Sequence, residues 1–418
     1  MPLFFTPNFQ PKDAEIKKPG DIHTIKKTAL QFIFIMGIVS LLGDIAYQGA
    51  RSVTGPYLAV LGASAGVVGL VSGMGEFIGY ALRIVSGYLS DRTRQYWPIT
   101  IVGYGLLCSI PLLAFAGCWQ TAALLIILER MGKGIRAPAR DTIISYAAKD
   151  VGSGFGFGIH KALDQVGAII GPLIFSAVYI VDGGYRNGFT ILWIPALLCV
   201  ATLLLARAKV PSPEKFETSG KTTGYAISDK GRLPKTFWFY ALFSFLSVAG
   251  FVNFQIISYH FKIQSIVSDV QIPVFYAIAM GTDGLVALII GRTYDKIGMK
   301  LLIMIPLLTL VIPLFAFSHS YNFAIIGALL WGAVMGIHET IMRAAIADLT
   351  TINHRGFAYG IFNTVYGAAF FMGSTVMGFL YDFSIPYLIL FVAVMEMMAL
   401  VVFLRFKEKI IQTQIPCQ

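Results

Sequence analysis

The segment Gly87-Tyr-Leu-Ser-Asp91-Arg92 recurs in the second half of the chain as Gly291-Arg-Thr-Tyr-Asp295-Lys296-Ile-Gly298-Met-Lys300. In each copy a long apolar run ends at a Gly, an Asp follows four positions later, and a basic residue comes next. Charge thus begins abruptly where the hydrocarbon layer of a membrane would end. The two copies predict the same kind of membrane exit, built twice.

The composition around these segments is that of a membrane protein. Of the 418 residues, 56% are hydrophobic and only 13% are charged, and the mean hydropathy is +0.72. A helix of ~20 apolar residues crosses the membrane, whereas a barrel strand needs ~10 residues of strict alternation, which these runs lack. We therefore predict an all-α membrane protein. The apolar runs predict twelve transmembrane helices, at 28–50, 66–90, 97–118, 121–147, 154–181, 188–206, 236–260, 272–291, 299–318, 321–347, 356–381 and 385–406.

The basic residues predict how the chain is oriented, because Lys and Arg are enriched in cytoplasmic loops. With the N-terminus inside, the outer loops hold few bases beyond Arg51, Arg186 and Lys262. The polar first twenty residues do not resemble a secretory signal. We expect both termini in the cytoplasm of a bacterial cell, with the chain in its cytoplasmic membrane. This topology accounts for the net charge of +10 without a nucleic-acid partner.

A polar stretch divides the chain into two repeats. Residues 207–235, rich in Pro and Gly, form a predicted cytoplasmic linker between a bundle at 28–206 and a bundle at 236–406, with cytoplasmic tails at 1–27 and 407–418. Gly134 recurs as Gly336, 202 positions later, and Gly171 recurs as Gly373 at the same displacement. Six helices return the chain to its starting side, so the halves form two parallel, pseudo-symmetric six-helix bundles.

With these motifs in hand, the chain resembles the major facilitator superfamily of secondary transporters. The Gly87 segment and its second copy are similar to the family's loop signature, and Arg130-Met-Gly-Lys-Gly134 matches its Arg-x-x-x-Gly signature. The motif that this family associates with antiporters is matched in the fifth predicted helix, by Gly158, Gly167, Gly171 and Pro172. Phe175-Ser176 stand where that motif ends in paired Gly. The resemblance implies alternating access, with predicted helices 1, 4, 7 and 10 around a central cavity.

The repeated segment is the expected cytoplasmic gate. The resemblance implies that the Asp of each copy locks the closed gate, although each could simply mark the boundary with water. The gate residues are Gly87, Asp91, Arg92, Gly291, Asp295, Lys296 and Lys300. Because the first copy departs from the family pattern after Arg92, we expect the second lock to be the better formed.

The fourth predicted helix carries the densest intramembrane charge. An ionisable group at the bilayer centre costs at least ~2.5 kcal/mol, so it has to be paired or face water. Lys133 and Arg136 lie on one stripe of this helix, and Arg130 lies roughly 13 Å deep, at a rise of ~1.5 Å per residue. We expect these three bases in a substrate cavity. Arg130 or Lys133 could instead pair with an acid and tie helices together.

Four acids are candidates for proton coupling. Asp44 lies in the first predicted helix, and we expect it to pair with Arg130 in a protonation-sensitive manner, unless it caps or packs a helix. Glu76, Asp164 and Asp283 lie at mid-membrane on helices that the resemblance places between the halves, and Asp164 ranks first of the three.

Further polar residues are expected to line the cavity in the second half. Glu339 and Arg343 lie one helical turn apart, so a simple intrahelical ion pair is the alternative for them. Asn253, Gln255 and Asn363 are not easily explained as bundle core, and we predict that they contact the substrate.

Together these features predict a proton-coupled secondary transporter of a small anionic or zwitterionic organic molecule, exporting it as an antiporter and acting as a monomer. The alternatives are a proton symporter that imports a nutrient and a membrane receptor on the same scaffold. We find no nucleophile or metal constellation of an enzyme and no ATP-binding loop, and we expect no cofactor.

Overall fold

The computed structural model describes residues 19–214, 233–350 and 354–414, and these residues form α-helices and 3-10 turns without a strand. The start of the predicted tail 1–27, most of the predicted linker 207–235 and the end of the predicted tail 407–418 lie outside the described residues.

Helices follow one another through short turns in both halves. The first half contains α1 (Pro19–Val60), α2 (Ala65–Thr93), α3 (Tyr96–Gly105), α4 (Ser109–Leu112), α5 (Trp119–Val151), α6 (Ser153–Asp182), α7 (Tyr185–Ile191) and α8 (Trp193–Lys209). The second half contains α9 (Lys235–Gly250), α10 (Phe254–Ile263), α11 (Gln271–Ile297), α12 (Met304–Ala316), α13 (Tyr321–Leu349), α14 (Arg355–Phe383) and α15 (Ile385–Gln414). The 3-10 turns are Leu106–Cys108, Leu113–Phe115 and Gly298–Ile303.

Ten stretches of the described residues are long and apolar enough to cross a membrane. Helix α5 is not among them, because its apolar surface is interrupted by charged side chains. One stretch of 46 residues, Gln271–Ala316, contains both the eighth and the ninth predicted helices. The predicted number of twelve is therefore reached only if α5 is counted and this stretch crosses twice. The chain leaves α11 at Gly298, with φ 68° and ψ −154°, a conformation that favours glycine.

The boundaries of two predicted helices are wrong in informative ways. Helix α1 continues ten residues beyond the predicted end at residue 50, so Arg51 is not a loop residue but is buried at 8% exposure. The seventh predicted helix is broken after Gly250, and α10 begins when the Asn253 side chain accepts a hydrogen bond from Ile256 N at 3.0 Å. An Asn at this position is a strong start signal for a helix.

The two halves repeat their helix contacts. A methyl group added to Gly171 would overlap the Ile45 carbonyl oxygen, and one added to Gly373 would overlap the Ala249 carbonyl oxygen, 204 residues after Ile45. Gly134 approaches the carbonyl of Gly79 in the same way as Gly336 approaches that of Asp283. The predicted repeat thus extends to pairs of touching backbones, and each half is a version of the same bundle.

The halves meet at one end of the molecule and separate at the other. At the end where α2 and α11 begin, the Ser176 hydroxyl donates to the Val270 carbonyl at 2.7 Å, and Gly69 leaves no room for a methyl group beside the Ser374 carbonyl. We call this the closed end. A cavity between the halves opens toward the end where α2, α5 and α11 finish, which we call the open end.

Candidate functional site

The cavity between the halves has a volume of about 940 Å³. Arg83 and Arg140 from the first half and Arg343 from the second lie along its wider part. Its inner limit is a small space of about 60 Å³, where Lys133 and Asp283 from opposite halves both lie on the wall. The site is therefore built from both bundles, and its inner part is lined mainly by polar and charged groups.

Tyr47 of α1 is the centre of a buried charge network. Its hydroxyl accepts hydrogen bonds from Arg51 Nη1 at 2.9 Å and from Arg130 Nη1. Both arginines also pair with the carboxylate Oε1 of Glu76, at 3.2 Å and 3.0 Å. Two cations thus share one acid and one phenol, which ties α1, α2 and α5 together. The predicted pair of Asp44 with Arg130 is wrong, because Glu76 occupies that position on Arg130.

Lys133 completes this network without an acid of its own. Its Nζ lies 3.9 Å from the centre of the Tyr47 ring, over the ring face, as cation–π attraction favours. None of the ion pairs of the described residues includes Lys133, and the side chain lines both the cavity and its inner limit. Lys133 is therefore a cation that can bind an anionic group of a molecule in the cavity.

A second group of polar side chains bridges the halves. Lys161 Nζ of α6 lies 3.3 Å from Glu339 Oε2 of α13 and 3.5 Å from Asp164 Oδ2 of its own helix. The Gln165 amide donates to Asp283 Oδ2 at 3.3 Å and to a carbonyl of α11 at 2.5 Å. The alternative of an intrahelical ion pair from Glu339 to Arg343 is wrong, because Glu339 takes its cation from the other half.

Two of the four acids proposed for proton coupling form no ion pair with a described cation. Asp44 and Asp283 are 8% and 5% exposed, and both lie on the wall of the inner limit. Neither belongs to an ion pair within the described part of the chain. Glu76 and Asp164, in contrast, already have cationic partners.

Several predicted cavity residues have other surroundings. Arg136 lies on the cavity wall but is 3% exposed, pairs with Glu129 at 3.6 Å and stacks over Tyr104. Asn253 is fully buried as the cap of α10, and Gln255 is 2% exposed. Neither of them, nor Asn363, is on the wall of the cavity or of its inner limit. Their predicted contact with substrate is not supported by their positions.

The predicted gate segments lie at the open end and do not form a lock in this conformation. Asp91 and Asp295 are exposed, and neither forms an ion pair among the described residues. Arg92 donates to Tyr88 of its own helix at 3.2 Å, and Lys296 and Lys300 are exposed. Gly87 faces Pro138 of α5 and Gly291 faces Thr340 of α13. The second copy is no better locked than the first, because the halves are apart here.

The glycines of the α6 motif have two different surroundings: some pack against α1, and one lines the cavity. Gly167 and Gly171 approach the carbonyls of Leu41 and Ile45 so closely that no side chain would fit, and they let α6 pack backbone to backbone on α1. Pro172 is buried beside them. Gly158 belongs to the same sequence motif, but no atom lies within 4 Å of a methyl group built there, and it lines the cavity.

We expect Gly171→Ala to lower the free energy of unfolding by about 1–3 kcal/mol, since an added methyl overpacks the α1 contact. The measurement is thermal or denaturant unfolding of the purified protein. Gly158→Ala is the matched control in the same helix, and it should leave stability unchanged or slightly higher because Ala favours helices. Equal losses in both variants would contradict the packing role.

The closed end contains a contact that the sequence patterns do not reveal. The Asp382 carboxylate at the end of α14 accepts hydrogen bonds from Ala65 N at 2.9 Å and Gly66 N at 2.7 Å, the first residues of α2. One half of the protein therefore caps a helix of the other half. The one hint of this contact in the sequence was Asp382, a lone acid just after the eleventh predicted helix. Tyr47 was missed as well, although it lies one helical turn before Arg51.

Comparison with known proteins agrees with this architecture. The family model described as Major Facilitator Superfamily matches residues 29–282 and 254–414. An uncharacterized protein of Mycobacterium tuberculosis is 42% identical over 377 residues, which cover 90% of this chain and 92% of that protein. An uncharacterized MFS-type transporter of Methanocaldococcus jannaschii is 29% identical over 368 residues, covering 84% of this chain and 89% of that protein.

Solved structures show the same fold at low identity. A mutant of the nucleoside transporter NupG has a TM-score of 0.71 at 16% identity, covering 90% of this chain and 99% of that one. A POT family transporter in complex with a thioalcohol-conjugated peptide has a TM-score of 0.70 at 15% identity, covering 92% and 96%. With the family match along nearly the whole chain, the protein belongs to the Major Facilitator Superfamily and is a multi-pass membrane transporter.

Proposed function

We propose that this protein is a proton-coupled secondary transporter that exports a small anionic or zwitterionic organic molecule across the bacterial cytoplasmic membrane. The observation that carries the proposal is the inner limit of the cavity, whose wall contains Lys133 of one half and Asp283 of the other. Neither side chain belongs to an ion pair among the described residues. A substrate carboxylate or phosphate bound by Lys133 gains an ion pair that the empty protein lacks.

Alternating access follows from the position of the cavity between the halves. The closed end is held by contacts between α2 and α14 and between α6 and α11, whereas the open end is separated. Rocking one bundle against the other would exchange the two ends around a fixed site. We place the open end in the cytoplasm, because the predicted inner loops carry most of the bases.

The proton coupling that we propose uses Asp283. A carboxylate removed from water without a cation is costly, so an acid in such a place alternates between a protonated form and a form paired with a cation. Binding of the cationic group of a zwitterionic substrate at Asp283 would then displace the proton, which couples the two fluxes in opposite directions. The glycine-packed helix α6, matched to the antiporter motif, agrees with this direction.

Reconstitution into liposomes tests the proposal. Purified protein is given a pH gradient of either sign, and the movement of labelled amino acids, organic acids, sugars and drugs is followed together with a pH-sensitive dye inside the vesicle. Antiport predicts that substrate and protons move in opposite directions. Movement in the same direction would favour the symporter, and tight binding without any movement would favour the receptor.

We expect Asp283→Asn to abolish uptake driven by the pH gradient while exchange of labelled for unlabelled substrate continues. The amide has no proton to release, but it keeps the size of the side chain and its contact with Gln165. Glu214→Gln, in the turn after α8, is the control and should leave both activities unchanged. If Asp283→Asn kept full gradient-driven uptake and Asp44→Asn lost it, Asp44 and not Asp283 would be the proton-coupling residue.

A further inference from the structure

Glu396 of α15 is a buried acid that takes no part in the cavity. Its side chain is 1% exposed, and neither carboxylate oxygen has a hydrogen-bond partner. No described cation pairs with it, and it is absent from the walls of the cavity and of the cavity's inner limit. Burying an ionised carboxylate without compensation is so unfavourable that such a group either takes up a proton or binds a cation.

Its position adjoins the break in the seventh predicted helix. A methyl group added to Gly250, the last residue of α9, would overlap Glu396 Oε1, so the acid rests against the carboxyl end of that helix. The chain then runs through three non-helical residues before α10 begins. The carboxyl end of a helix carries a partial negative charge. An acid and a helix end of the same sign therefore face each other.

A second buried polar group without a hydrogen-bond partner lies one helical turn from Glu396. Ser247 lies three residues before Gly250, on the same face of α9, and its hydroxyl is fully buried without a hydrogen-bond partner. The antiparallel register of α9 and α15 is fixed by the ring contact of Phe243 with Phe403 at 5.6 Å and by the contact of Gly250 with Glu396. In this register Ser247 is level with Ala399, one helical turn from Glu396.

We propose that Glu396, Ser247 and the carboxyl end of α9 bind a monovalent metal cation of the Na⁺ class. The surrounding donors are oxygens, which hard cations prefer, and the single acid matches a single positive charge. Interrupted membrane helices bind such ions with the carboxyl end of a half-helix. The ion would fix the break between α9 and α10, and α10 packs on α1 across the interface, where Gln255 O meets Gly55.

The purified full-length protein in detergent tests this site without any knowledge of the substrate. Its thermal unfolding midpoint is measured while NaCl replaces choline chloride at constant ionic strength, at several pH values. A ligand that binds only the folded state raises the midpoint with its concentration. We expect Na⁺ to raise the midpoint of the wild type, and we expect no response in Glu396→Gln, whose amide is neutral and similar in shape.

Two further variants make the test specific. Ser247→Ala should weaken the Na⁺ response by about tenfold or more in concentration, the loss typical of perturbed metal sites. Asp283→Asn should keep the full response, because Asp283 belongs to the transport site. A wild type that ignores Na⁺ but is stabilised by acid would overturn the proposal and indicate a permanently protonated Glu396. A Na⁺ response that persists in Glu396→Gln would overturn it as well.

Discussion

Replacing Arg130 with Met is expected to abolish transport and to lower the free energy of unfolding by about 3–5 kcal/mol, the range for breaking a buried ion pair. Arg130 is 5% exposed, its Nη1 lies 3.0 Å from Glu76 Oε1, and it donates to the Tyr47 hydroxyl. Without it, the contact with Arg51 at 3.2 Å is the one ion pair that Glu76 keeps among the described residues. The measurements are denaturant unfolding of the purified protein and substrate exchange in liposomes.

A double-mutant cycle separates the ion pair from simple loss of packing. We expect Arg130→Met with Glu76→Gln to lose less stability than the sum of the single changes, because both single changes remove the same contact between Arg130 and Glu76. Arg130→Lys should recover part of the stability but not the activity, since an ammonium cannot reproduce the forked contacts of a guanidinium. Additive losses, or wild-type stability in Arg130→Met, would contradict the network.

Replacing Asp382 with Ala is expected to shift the protein toward the conformation in which the closed end is open. The variant loses two hydrogen bonds to the first N–H groups of α2, at 2.9 Å and 2.7 Å, together with the favourable charge at a helix N-terminus. Such a cap is worth about 0.5–2 kcal/mol, which corresponds to roughly a 2- to 30-fold change in the equilibrium between the conformations. Because the cap joins the halves, the loss affects only one of the two conformations.

Chemical labelling measures this shift. Ser374 is 1% exposed in the α2–α14 contact and its hydroxyl has no hydrogen-bond partner, so Ser374→Cys places a thiol there with little disturbance. We expect alkylation of that thiol to accelerate in Asp382→Ala, with Asp382→Asn intermediate. Ser64→Ala is the matched control, because Ser64 caps the same helix from its own half, through Val67 N at 3.4 Å. Equal acceleration in Ser64→Ala would show that helix fraying, not the link between halves, exposes the thiol.

The features carried by local periodicity could be predicted from the sequence. The apolar runs predicted the helices, because this signal lies within each helix. The displaced pairs Gly134/Gly336 and Gly171/Gly373 predicted the two bundles, because this signal repeats in the other half. The cost of intramembrane charge also predicted a cavity position for Lys133, which lies on the cavity wall. The family resemblance placed the helix of Asp283 between the halves, where Asp283 lines the inner limit. The predictions from apolar runs and from charge depend only on the membrane as a solvent, which acts on each helix separately.

The choice of partners could not be predicted in the same way. Glu339 pairs with Lys161 rather than with Arg343, one turn away on its own helix, because the approach of α6 brings a cation from the other half. Asn253 is an unusual polar residue in an apolar run, but it caps α10 where the helix is broken. For Glu339, a residue distant in sequence is the ion-pair partner. For Asn253, the change of backbone direction after α9 determines which group its side chain bonds.

The charges of α5 have a consequence for how the protein is made. Glu129, Arg130 and Lys133 lie in one helix, and a central charge costs ~2.5–3.5 kcal/mol when a membrane helix is inserted by the translocon. Helix α5 is therefore poorly suited to enter the bilayer alone. Its compensating groups, the acid of α2 and the carbonyl of Gly103 in α3, belong to helices that are synthesised before it. Because α2 and α3 are synthesised first, their compensating groups can already be in the membrane when α5 is inserted.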